Sequence, residues 1–75
     1  MDIKQAFALT LKELRKSKGF SQEALALDAG LDRSFLSKIE RGINQPSLET
    51  IFSLAKVLKC SASDIMKTTE EKYNT

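Results

Sequence analysis

The chain has 75 residues, 41% of them apolar, and a formal charge of only +2. That describes one small domain with a modest core and no room for an additional ligand-binding domain. With no histidine and one cysteine, it lacks the usual general base, the Ser-His and Cys-His nucleophiles, an intrachain disulfide and a Cys-based metal cluster.

No apolar run approaches the length of a membrane span, and the N-terminus has no signal-peptide pattern. A reducing cytoplasm is the expected setting, and no membrane partner is expected.

The first helix is predicted over residues 2–17, where Ile3, Phe7, Leu11 and Leu14 recur on one helical face. The second spans Gln22 to Ala29, with Ser21 as N-cap and Glu23 in its first turn. Gly30-Leu31-Asp32 makes a short connection. The third helix follows from Arg33 to Arg41 with Asp32 as N-cap, and the loop from Gly42 to Pro46 comes next. Ser47 caps a fourth helix from Leu48 to Leu58, whose core stripe is Leu48, Ile51, Leu54, Ala55 and Leu58. A short fifth helix runs from Ala62 to Lys67, with Ser61 and Asp64 at capping-box spacing. Gly19, Gly30 and Gly42 each sit where a residue of positive φ ends a helix. Cys60 reads as a small core hydrophobe. No segment alternates with period two, so no strand is expected. The fold class is therefore all-α: a compact five-helix domain over residues 1–67, followed by a frayed polar tail over residues 68–75.

Helices two and three, joined by three residues, form a helix-turn-helix. Ala26 suits their close crossing, and Leu25, Ala29, Leu36 and Ile39 would form the shared core. On a helical wheel, Leu36, Ile39 and Glu40 of helix three point one way. Ser34, Ser37, Lys38 and Arg41 point the other, with Arg33 opening the helix and Phe35 on its flank. The charge pattern agrees: residues 21–32 carry three acids and no cation, whereas residues 33–41 carry three cations and one acid. Such a face suits the DNA major groove. Arg33 and Lys38 could donate to guanine, Ser34 and Ser37 could pair with a base edge or a phosphate, and Phe35 could meet a thymine methyl.

The segments LKELRKSKGFSQEALALDAGLDRSFLSKIERG and PSLETIFSLAKVLKCSASDIMK resemble the lambda-repressor-like, Cro/C1-type (XRE) helix-turn-helix regulators, and within these the restriction–modification controller proteins and small plasmid or phage repressors. The resemblance implies sequence-specific binding of an operator in double-stranded DNA. It implies base readout by Arg33, Ser34, Phe35 and Lys38. Phosphate contacts then fall to Gln22, Ser37, Arg41, Ile43 and Asn44. It also implies a buried salt bridge between Arg15 and Glu40. Lys59 stands where many members have glycine.

A single such domain touches few base pairs, so a homodimer reading a partly palindromic operator is expected. Phe52, off the main stripe of helix four, together with Ile65 and Met66, is the candidate dimer interface. An antitoxin that also binds a protein toxin is the alternative, although the tail after Lys67 looks short for it. No catalytic residue, metal, cofactor or small-molecule effector is expected, and the chain is not expected to be an enzyme.

Overall fold

Every helix begins on a side chain that caps it. In the computed structural model, which describes residues 1–75, Asp2, Ser21, Asp32, Ser47 and Ser61 each accept a backbone N–H from the turn that follows. The helices are α1 (Ile3–Ser17), α2 (Gln22–Ala29), α3 (Arg33–Glu40), α4 (Leu48–Val57) and α5 (Ala62–Tyr73), with no strand. A side-chain cap contributes about 1 kcal/mol. That matters most for α2 and α3, which at eight residues each are too short to hold in water without tertiary support. The reciprocal capping box expected at Ser61 and Asp64 is half formed: Ser61 Oγ accepts the Asp64 N–H at 3.0 Å. The complete box joins Asp2 and Gln5 instead.

Gly30 ends α2 in the left-handed region at φ +70°, and the Leu31 N–H returns to Ala26 O at 2.8 Å. This reversal folds α3 back over α2. Ala26, buried, lets the two helices approach closely, and Leu25, Leu36 and Ile39 are shielded completely. Ala29 and Leu31 pack around them half-buried. Leu11 from α1, Leu54 and Leu58 from α4 and its cap, and Ile65 from α5 complete the core. Each such side chain contributes about 1.5–3 kcal/mol by leaving water. α1 lies against α3 and α5, while α2 packs on α3 and α4, so the helix-turn-helix is held from both sides.

Three expectations are corrected. Helix five does not stop at Lys67: α5 continues to Tyr73, so residues 68–73 are helix rather than a frayed tail. The reason lies across the core, because Thr69 is fully buried with its hydroxyl donating to Ile65 O, and Lys72 pairs with Glu13 of α1 at 2.9 Å. The periodicity puts Ile3 and Leu48 on core stripes, but they are 44% and 75% exposed. Both lie in the first turn of their helices, beyond the edge of the core. Ile65, expected at a dimer surface, is 2% exposed; it faces inward with the core cluster and cannot meet a partner.

The one non-glycine residue at positive φ is Lys59, at +56°, just after α4. A side chain costs about 1–2 kcal/mol there, partly offset by the flexibility that glycine would add to the unfolded chain, about 0.5–1 kcal/mol. Lys59→Gly is therefore expected to stabilise the fold by up to about 1 kcal/mol, read as a higher urea midpoint at unchanged slope. A lower midpoint would show that Lys59 makes a compensating interaction.

Candidate nucleic-acid interface

α3 has one hidden face and one open face. Leu36, Ile39 and Glu40 are buried; Arg33, Ser34 and Lys38 are exposed, and Arg41, the C-cap, is exposed beside them. Asp32 Oδ1 accepts the Ser34 N–H at 3.0 Å, which fixes the first turn and leaves the Arg33 and Ser34 side chains pointing outward from the helix end. The geometry brings the candidate readers Arg33, Ser34 and Lys38 onto a single surface. Ser37 is half-buried at its edge. Phe35 is half-buried and packs against the core, so much of its ring is committed to holding α3 down.

The buried end of α3 is pinned electrostatically. Arg15 Nε donates to Glu40 Oε2 at 2.6 Å, and Arg15 Nη2 donates to Glu40 Oε1 at 3.0 Å. Arg15 Nη1 donates to Phe20 O at 2.8 Å, and Gln22 Nε2 joins Glu40 Oε1 at 3.0 Å. The Arg15 and Glu40 side chains are 9% and 1% exposed. No buried side-chain polar atom lacks a partner. The pair that the resemblance implied is therefore present, bidentate and fully satisfied. Sequence reasoning missed its two further members, the Phe20 carbonyl and the Gln22 amide. No residue-type pattern marks a backbone carbonyl, and the resemblance implies a phosphate as the partner of Gln22.

The segment after α3 requires one correction. The Ile43 and Asn44 N–H groups both donate to Lys38 O, at 3.0 and 3.3 Å. Their amides are thus spent within the chain. Ile43, exposed and without a polar side chain, has no donor left for a phosphate, whereas Asn44 keeps its side-chain amide. Gln22 stands half-buried at the first position of α2.

Phe52 is 64% exposed and Met66 is 39% exposed. Leu48, one turn from Phe52 on α4, lines a shallow depression with Ile3, Phe7, Ile51 and Met66. Leu48 of α4 and Met66 of α5 therefore share one depression, with Phe52 exposed one turn along α4. Cys60 is half-buried against the core. Burial raises its thiol pKa, with Lys18 lowering it and Asp64 adding to the rise, which leaves a protonated and weakly nucleophilic group at neutral pH. No three His, Cys, Asp or Glu side chains converge as a metal site. No helix is long and apolar enough to cross a membrane.

The helix-turn-helix family model matches residues 11–65. The chain is 31% identical over 71 residues to the uncharacterized HTH-type transcriptional regulator y4dJ of Sinorhizobium fredii, covering 95% of this chain and 92% of that protein. It is 35% identical over 66 residues to the control protein C.SmaI of Serratia marcescens, covering 88% and 79%. Among solved structures it is similar to the restriction–modification controller protein C.AhdI of Aeromonas hydrophila, with a TM-score of 0.80, 42% identity, and coverage of 83% of this chain and 94% of that one.

Removing one partner from a buried, hydrogen-bonded ion pair strands the other. Glu40→Ala is expected to destabilise the fold by about 3–5 kcal/mol, because Arg15 remains inside without its carboxylate. Equilibrium urea unfolding checks this; an unchanged midpoint would show that the pair carries no structural burden.

Proposed function

The chain belongs to the Cro/C1-type helix-turn-helix family of DNA-binding transcription regulators, and on that basis we propose how its surface divides between reading, anchoring and pairing. Arg33, Ser34 and Lys38 read base edges in the major groove. Gln22, Ser37, Arg41 and Asn44 hold backbone phosphates on either side, which sets register without conveying sequence. Phe35 contributes at most a ring edge to a thymine methyl. The observation that carries this reading is the common exposure of Arg33, Ser34 and Lys38 on a capped helix whose opposite face is locked in the core.

The operator is partly palindromic and bound by a homodimer, with two recognition helices about 34 Å apart on successive turns of one duplex face. The exposed apolar patch of Phe52, Leu48 and Met66 supports a pairing surface on the α4–α5 side. The protein works where its operator is, in the cytoplasm at the nucleoid. A separate toxin-binding role has no comparable support.

Selection of duplexes from a random pool is expected to enrich two inverted half-sites separated by about one helical turn. Arg33→Ala should relax preference at one base position per half-site by about 1–3 kcal/mol. A pool that enriches no sequence would overturn the reading. Phe52→Lys is expected to sediment as a monomer at micromolar concentration, where the parent chain is a dimer; a persisting dimer would place the interface elsewhere.

A further inference from the structure

The resemblance makes Gln22 a phosphate ligand, but its side chain already has a partner inside the protein. Gln22 occupies the first position of α2, and Glu40 is the last residue of α3. Glu40 Oε1 receives two donors, Arg15 Nη2 and Gln22 Nε2, each at 3.0 Å, and its side chain is 1% exposed. An oxygen with two lone pairs is then fully occupied. The amide nitrogen of Gln22 has two hydrogens, and one is committed to this buried carboxylate. The other, and the carbonyl oxygen, remain on the half-exposed side of the residue. A hydrogen bond to an ionised acceptor is stronger than one between neutral groups. The orientation of the amide is therefore imposed from within.

The start of α2 and the end of α3 are thus tied to the same carboxylate, which Arg15 holds from α1. We propose that Gln22 is a positioning residue for base readout: by donating to Glu40 it holds the reading face of α3 in register with the start of α2. The inference rests on the DNA-binding reading above and sharpens it. A residue that only touches a phosphate carries no sequence information, and its loss weakens all duplexes alike. A residue that sets the placement of Arg33, Ser34 and Lys38 acts on bidentate contacts, which are lost with small displacements of their supporting shell. Its removal therefore lowers discrimination between duplexes.

The test uses Gln22→Met in the full chain, a side chain of similar length with no donor, which leaves the Arg15–Glu40 pair in place. In the free protein, the Arg15 Nε–H resonance and the backbone amides of α3 are expected to shift in proton–nitrogen NMR spectra. Changes confined to the start of α2 would overturn the proposal, whatever happens on DNA. With DNA, Kd is measured for the selected duplex and for one altered at the base pairs facing α3. The ratio of the two Kd values should fall about fivefold or more, the lower range of measurable coupling between sites. Equal weakening on both duplexes, with the ratio preserved, would overturn the proposal and leave Gln22 as a phosphate contact. A parent chain with no preferred duplex would overturn the DNA reading itself and this role with it, a result distinct from a preserved ratio.

Discussion

The Glu40 carboxylate is the point on which the helix-turn-helix depends. It sits almost wholly out of water at the end of α3 and collects donors from α1 and from α2. Arg15, which supplies most of them, also holds the carbonyl of Phe20 in the α1–α2 connection. A charge in that position is costly unless it is paired and hydrogen-bonded, and here both oxygens accept, Oε2 from Arg15 and Oε1 from Arg15 and Gln22. Apolar packing is not directional. Leu36 and Ile39 contribute by leaving water, which singles out no partner atom, whereas a bidentate guanidinium fixes one direction of approach. The ion pair thus chooses the orientation, and the leucines supply most of the adhesion.

That choice decides which side chains α3 shows to the outside. With Glu40 held inward, Leu36 and Ile39 turn to the core. Arg33, Ser34 and Lys38 are then left in solvent, and Phe35 rests half against the core. The Asp32 cap fixes the first turn, and the Lys38 carbonyl gathers the amides of the following loop. The cationic face is a consequence of burying the opposite one, which is how a chain with a net charge of +2 can still offer a locally basic surface.

Much of this was legible in the residues. Helix starts were visible because Ser and Asp caps announce them chemically, and the ends of α1, α2 and α3 because glycine follows where φ turns positive. The split of α3 into a core face and an outward face followed from helical periodicity. The differences have separate causes. Periodicity gives the face of a helix but not how far the core extends along it, so Ile3 and Leu48 were placed inside when they lie beyond its edge. The second half of α5 looked polar and unpatterned, yet Thr69 and Lys72 find partners on α5 itself and on α1. Ile65 looked like a surface companion for Phe52 because nothing local distinguishes an inward isoleucine from an outward one.

The amino-acid sequence by itself determined the helix boundaries that depend on caps and glycines, the absence of strands, the helix-turn-helix and the identity of its outward residues. These follow from interactions between residues a few positions apart. Only the tertiary structure decided which donors share Glu40, that the amides after α3 are already occupied, how far α5 runs, and which apolar side chains remain uncovered. Most of these depend on groups from separate helices meeting at hydrogen-bond or van der Waals distance, and the loop amides depend on the path the chain takes after α3. Local spacing cannot encode that distance, because it is set only when all five helices pack at once.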